Sequence, residues 1–188
     1  FFLTESKKSL LFSEHWRGII FQVNLEGNDH RAAPLPIDHL RGLSAVGFDP
    51  VEELVYFAEY APGIIQRSHL NGSDAETIVN GIYYANRLAI DHLTRNIYFS
   101  DSSKYRIDVA TLDGKHRTGL ISTVWPEGIA LDLKNGWVLN QVFPYDKTKK
   151  YAPYHFLSLF SPRYPKKIIE KKETNVEWHF ELAAVRKN

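Results

Sequence analysis

The chain contains no cysteine and no methionine in 188 residues. Without cysteine there is no disulfide framework, no thiolate metal site and no cysteine nucleophile. That absence leaves the compartment open, because a well-cored domain of this size does not depend on disulfides even outside the cell. A translated chain ordinarily begins with methionine, so this sequence reads as a segment of something longer. No run approaches 18 consecutive apolar residues, which excludes a membrane-spanning helix. Phe1 to Ser9 lack the basic flank and small-residue cleavage site of a secretory leader. No segment sustains a 3.6-residue apolar period either, so long helices are not expected.

What is present is aromatic and unevenly charged. The 4 Trp, 10 Tyr and 11 Phe exclude wholesale disorder. The length suits one domain, or one domain with an appendage. The net charge of +1 hides a split. Residues 1–133 carry 12 Lys+Arg against 17 Asp+Glu, whereas residues 134–188 carry 11 against 5. Of the 11 glycines, Gly136 alone lies in the second part. Glycines punctuate short strands and tight turns, so turn-rich architecture is expected to run to about Asn135 and stop. The basic tail, residues 136–188, reads as a solvated segment of uncertain structure. Binding to nucleic acid or an acidic membrane surface is the alternative that such charge allows.

Three markers repeat in one register through the first part. Leu11-Phe12-Ser13-Glu14 returns as Tyr56-Phe57-Ala58-Glu59 and Tyr98-Phe99-Ser100-Asp101, at spacings of 45 and 42. Leu25-Glu26-Gly27 returns as Leu70-Asn71-Gly72 and Leu112-Asp113-Gly114 at the same spacings. Phe48-Asp49-Pro50 returns as Ile90-Asp91-His92 and Leu131-Asp132-Leu133, at 42 and 41. Each repeat holds four short runs rich in aromatic and β-branched residues. In the clearest repeat they are Arg87 to Asp91, Asn96 to Ser100, Arg106 to Leu112 and Thr118 to Ser122. Asp113-Gly114 supplies residues that tolerate the positive φ of a tight hairpin. A repeat of about 42 residues with four strands predicts an all-β fold built of propeller blades.

These stretches resemble a known family, the LDL-receptor class B or YWTD repeat. The resemblance rests on Gly128-Ile129-Ala130-Leu131-Asp132, Leu88-Ala89-Ile90-Asp91, Ile97-Tyr98-Phe99-Ser100-Asp101 and Ile107 through Gly114. Phe99 stands where the family has Trp, and Glu59 where it has Asp. The opening Leu10 to Glu14 and the run Leu35 to Arg41 look most like the Wnt co-receptor branch of the LDL-receptor-related proteins. The family's domain is a six-bladed β-propeller flanked by EGF-like modules in a receptor ectodomain. About two and a half blades are expected here, in residues 1–135, because Gly136-Trp137-Val138-Leu139-Asn140 departs from the motif. Such an incomplete ring leaves apolar faces and strand edges open, so marginal stability is expected.

The chemistry along the chain is sparse. The eight histidines include no pair three or four residues apart, so no helical metal pair exists, and neither a metal nor a cofactor is expected. Neither a nucleophile-elbow motif nor a phosphate-cradling glycine loop occurs. Asp49, Asp91 and Asp132 recur at first-strand ends, where a carboxylate accepts hydrogen bonds from the following turn. Glu14, Glu59 and Asp101 read mainly as loop anchors. With Tyr56, Phe57, Tyr98 and Phe99, which should be buried on both strand faces, Asp91 and Asp132 form the structural motif. Asn71-Gly72-Ser73 is an acceptor sequon for N-glycosylation in a hairpin.

The expected site is a face. In a propeller the loops entering the first strand and leaving the second converge at one mouth of the channel, and function concentrates on such loops. Here they carry Glu59, Tyr60, Tyr84, Asn86, Asp101, Trp125 and Glu127. Aromatics interleaved with carboxylates suit a protein surface that takes basic or amide-rich ligands. Trp125-Pro126-Glu127-Gly128 resembles the Trp-Pro-Asn-Gly stretch on the family's ligand-binding face. The resemblance implies a non-enzymatic, extracellular ligand-binding module of a cell-surface receptor, serving signalling of the Wnt type or endocytosis, with a protein partner and no nucleic acid. The competing reading is a Ca²⁺-dependent propeller hydrolase of the lactonase or esterase type. That site needs unlike acids and amides from several blades aimed at one ion, whereas the acids here are equivalent across repeats.

Overall fold

A computed structural model describes residues 2–4, 8–26, 28–122, 126–134, 136–142, 154–160 and 169–174. Among the described residues, sixteen strands form four antiparallel four-stranded sheets, each in sequence order. The first holds β1 (Phe2–Thr4), β2 (Ser9–Glu14), β3 (Ile19–Asn24) and β4 (Ala32–Pro34). The second holds β5 (Leu43–Asp49), β6 (Leu54–Glu59), β7 (Ile64–His69) and β8 (Glu76–Val79). The third holds β9 (Leu88–Asp91), β10 (Asn96–Asp101), β11 (Arg106–Thr111) and β12 (Thr118–Ser122). The fourth holds β13 (Pro126–Asp132), β14 (Trp137–Val142), β15 (Tyr154–Phe160) and β16 (Ile169–Thr174). Among the described residues the helical structure is one 3-10 turn, Ser102–Lys104.

The repeated aromatic pairs show why the sheets stack. Successive strand residues point to opposite faces. Tyr56 joins an apolar cluster with Ile65, Ile82, Leu88, Ile90, Ile97 and Phe99, between the second and third sheets. Phe57, its neighbour, joins Leu11, Ile20, Phe48 and Val55, between the first and second. Tyr56, Phe57 and Phe99 are inaccessible to solvent, and Tyr98 is buried. Fully burying side chains of this kind stabilises by roughly 1.5–3 kcal/mol each.

Between the second and third sheets the first strands, β5 and β9, lie side by side. A Cβ on Gly47 of β5 would lie 2.7 Å from Leu88 Cδ1 of β9, so any larger residue there requires the Leu88 side chain to shift. Polar links then tie neighbouring sheets. Arg95, in the β9–β10 turn, bonds Asp49 at 2.8 Å and Glu52 at 2.7 Å in the β5–β6 turn. The Tyr56 hydroxyl donates to the Leu112 carbonyl at 3.3 Å. Face-to-face sheets with adjacent innermost strands are consecutive propeller blades. An all-β, incomplete propeller is what the sequence predicts and what these sheets form.

The blade count is higher than expected from the sequence. Instead of two and a half blades ending near residue 135, a fourth sheet continues through β14, β15 and β16, so residues 136–188 contribute three strands. The register also persists: β14 begins 41 residues after β10, at Trp137 against Asn96. The motif does not persist with it. Leu139-Asn140-Gln141-Val142 occupies the positions of Tyr98-Phe99-Ser100-Asp101. Strand formation needs only β-forming composition and a pairing partner, so a strand can outlast the signature that marked its predecessors.

Candidate functional site

Antiparallel alternation sends the second-to-third-strand hairpins and the sheet-to-sheet connections to one end of the stack. Among the described residues this mouth comprises 15–18, 35–42, 60–63, 80–87 and 102–105. The opposite end carries the first-to-second-strand turns and the third-to-fourth-strand hairpins. Each end is built by its own acids.

At the opposite end, Asp49 accepts the Val51 and Glu52 amides at 3.1 and 3.3 Å. Asp91 accepts the Leu93 and Thr94 amides, both at 3.0 Å, and the Thr94 hydroxyl at 2.6 Å. This is a turn closed by its own first carboxylate, repeated in successive blades. Asp132 ends β13 at the equivalent position, and its carbonyl accepts the Gly136 amide at 2.8 Å.

At the mouth, Glu59 and Asp101 are also buried, at 3% and 0% exposure. The sequence reads both mainly as loop anchors, with ligand contact as the lesser alternative, and each is bonded to the loops beside it. Glu59 accepts the Arg41 amide and the Gln66 side-chain amide, each at 2.5 Å, and so fastens the 35–42 connection to β6 and β7. Asp101 accepts the Ser103 hydroxyl at 2.6 Å and the Arg117 guanidinium at 2.9 Å, with the Lys104 ammonium at 3.0 Å. Burial alone would push the Asp101 carboxyl up, but bonds from Ser103 and Lys104 outweigh it and hold the group below its ordinary value. Arg117 also reaches Asp108 at 2.7 Å and the Asn80 carbonyl at 3.0 Å, and lies over the Phe99 ring. Arg106 completes the network, its Nε 2.6 Å from Asp108 Oδ1. A buried carboxylate requires such partners, and for Asp101 they come both from its own turn, Ser103 and Lys104, and from Arg117 ahead of β12.

Asn86 and Ser100 set the third mouth loop. The Ser100 hydroxyl accepts the Asn86 and Arg87 amides, both at 3.1 Å, and Asn86 Nδ2 donates to Ser102 Oγ at 3.2 Å. Gly63 shapes the hairpin alongside. Its φ is +74°, and a Cβ there would meet the Ile82 carbonyl oxygen at 2.1 Å.

On this rigid base sits an exposed aromatic cluster. Tyr60 and Tyr84 meet with ring centroids 4.5 Å apart. His15 packs edge-on against Tyr60 at 6.4 Å and against Trp16 at 5.0 Å. The His15 Nδ1–H donates to the Leu43 carbonyl at 3.0 Å, fixing the ring over the start of β5. Trp16 is 92% exposed, Tyr83 66% and Tyr84 42%. Tyr84 has φ +63°, a left-handed conformation that costs an L-residue roughly 1–2 kcal/mol.

Of the expected site residues, Tyr60, Tyr84 and Asn86 gather at this mouth, while Glu59 and Asp101 hold it from below. Trp125 lies outside the described residues, and Glu127 is placed by its backbone in β13. Sequence reasoning passes over Trp16 and the role of His15. His15 follows Glu14 as Tyr60 follows Glu59, and that register equivalence is the signal that could have found it. Among the described residues no three His, Asp or Glu side chains gather as a metal site, and no helix is long and apolar enough to cross a membrane.

Fold and mouth together define a repeat-built β-propeller that presents aromatic loops at one end. Residues 95–133, which include Tyr98-Phe99-Ser100-Asp101, match the family model for the low-density lipoprotein receptor repeat class B. The chain is 33% identical over 87 residues to low-density lipoprotein receptor-related protein 4 of Homo sapiens, covering 46% of this chain and 4% of the relative. It is 39% identical over 88 residues to nidogen-2 of Mus musculus, covering 45% and 6%. The chain thus spans a small part of these relatives. In the crystal structure of a nidogen/laminin complex, one chain superposes with a TM-score of 0.73 at 26% identity, over 86% of this chain and 60% of that one.

Proposed function

We propose that the chain is a non-enzymatic, extracellular protein-binding module whose binding surface is the mouth formed by Trp16, His15, Tyr60, Tyr84 and Asn86. The observation that carries this is the exposed aromatic cluster, held by buried Glu59 and Asp101 on stacked sheets. Large aromatics at an interface contribute most when they fill a partner's pocket, and an exposed tryptophan on a rigid loop is suited to that. Similarity to a receptor-related protein and to nidogen-2 supports protein recognition outside the cell or at its surface. A nidogen's structure with laminin makes laminin the first probe.

The test is capture of purified laminin by the immobilised full chain. Trp16→Ala and Tyr84→Ala should each weaken capture by about 2 kcal/mol, roughly thirtyfold, without lowering the melting temperature. Unchanged capture in both variants overturns the placement of the site. Turnover of a lactone with added Ca²⁺ overturns the non-enzymatic reading.

Asn71 is the proposed glycan site. It is exposed in the β7–β8 hairpin, and its Oδ1 accepts the Ser73 amide at 3.0 Å. A glycan there sits at the end away from the mouth. Expression through a secretory pathway should give a mass shift that an endoglycosidase removes and that Asn71→Gln abolishes; secreted chain without the shift refutes it.

A further inference from the structure

The charge exposed at the mouth is opposite to the charge its loops suggest in sequence. Glu59 and Asp101 are buried and bonded, and Glu14 is paired with Arg17 at 3.4 Å. Among the described residues of this end, Asp38 is the one exposed carboxylate, against exposed Arg17, Arg41, Arg87 and Lys104. Lys104 is held by Asp101. Neither Arg41 nor Arg87 has a carboxylate partner among the described residues.

Both arginines border the aromatic cluster. Arg41 precedes Gly42, where a Cβ would lie 3.4 Å from Tyr60 Cβ and 3.8 Å from His15 Cε1. Arg87 follows Tyr84 by three residues, and its guanidinium donates to the Asn86 and Ser44 carbonyls at 2.8 and 3.5 Å. Those carbonyls leave further guanidinium N–H groups to face a partner, since arginine carries five donors. Guanidinium groups beside aromatic faces match an extended segment that alternates carboxylates with apolar side chains. The planar fork takes a carboxylate in two parallel bonds, and the rings take the apolar group.

We infer that this mouth selects an acidic segment of a partner protein, with an Asp or Glu on Arg41 and Arg87 and an adjacent apolar side chain against Tyr60, Tyr84 and Trp16. The inference rests on the protein-binding reading and adds the partner's chemistry, replacing the basic or amide-rich ligand that the loops suggest in sequence.

The test is selection of a displayed random 12-residue peptide library on the full chain. A synthetic peptide of the selected consensus is then compared with its Asn/Gln counterpart. The recovered peptides should be net acidic, with Leu, Ile, Phe or Trp next to Asp or Glu. Replacing those carboxylates by amides should weaken binding at least tenfold. The double variant Arg41→Gln, Arg87→Gln should lose the same factor for the acidic peptide and little for the amide one. Both side chains are exposed, so a melt identical to the parent's is expected. A neutral or basic consensus overturns the charge inference. Trp16→Ala with Tyr84→Ala separates the two levels. If that variant abolishes binding while acid and amide peptides bind alike, the charge inference alone fails. If it leaves binding intact, the site itself is misplaced. No enrichment over an unrelated protein rejects both. A heparin oligosaccharide that binds as tightly and needs Arg41 and Arg87 but not Tyr84 makes the surface a polyanion site and overturns the peptide proposal.

Discussion

The two ends of the stacked sheets handle buried acids differently. At the turn end, Asp49 and Asp91 sit in equivalent positions and close equivalent turns with bonds to amides two and three residues on. At the mouth, Glu59 and Asp101 are also equivalent, yet their partners differ: the Arg41 amide 18 residues upstream and Gln66 for one, the adjacent Ser103 and Lys104 with a guanidinium 16 residues downstream for the other. Around them the loops diverge into His15, Tyr60 and Ser102 at matching positions. A feature that repeats with its bonding is architecture. One whose position repeats while its surroundings change is where a common scaffold acquires individual recognition.

That contrast can be broken most sharply at Asp101. Asp101→Ala leaves Arg117 without one of its two carboxylates and should cost about 3–5 kcal/mol, the range for removing one partner of a buried pair. Chemical denaturation measures it. The same carboxylate gives the mouth an acid sensitivity. Its folded-state value lies below the ordinary carboxylate value of 3.8. Its contribution is therefore complete above that value and is lost as the pH falls from there toward the folded-state value. Stability should decline over that acid window in the parent and less steeply in Asp101→Ala. Equal slopes would show that Asp101 is not the group responsible.

At the turn end the effect should be smaller. Asp91→Ala removes three short-range bonds from a turn that water can partly resolvate, a loss of about 1–3 kcal/mol by the same measurement. A loss as large as that of Asp101→Ala would mean that the guanidinium partner of Asp101 adds nothing to what local turn bonds contribute. Smallest in stability is Trp16→Ala. Its side chain is 92% exposed, so unfolding should change by no more than about 0.5 kcal/mol while partner binding falls. A large loss of stability would mean that Trp16 packs within the fold, and the mouth would lose its principal anchor.

Much of the framework was legible in the sequence because its signals are local. The runs read at Asn96 to Ser100, Arg106 to Leu112 and Thr118 to Ser122 match β10, β11 and β12 to within a residue or so. Alternation and turn chemistry act over a few residues, so they survive without knowledge of neighbours. The fourth sheet was missed because the reading followed a motif, and Leu139-Asn140-Gln141-Val142 retains the strand spacing without the motif. The mouth was half legible. Register places Tyr60 and Tyr84 there and marks Glu59 and Asp101 as loop anchors, whereas nothing local singles out Trp16 or shows how deeply the two acids are buried.

By itself, then, the order of residues determined the period, the strands, the Asp-closed turns and the burial of Tyr56, Phe57, Tyr98 and Phe99 on both faces of their strands. The tertiary structure decided which charges meet solvent. A carboxylate is buried only where donors converge on it; Asp101 draws Ser103 and Lys104 from its own turn, whereas Arg117 reaches it from the connection into β12 while also bonding Asn80, just after β8. Local pattern cannot announce such a meeting, because it depends on how strands distant in sequence pack. The sign of the charge that the mouth presents to a partner depends on it.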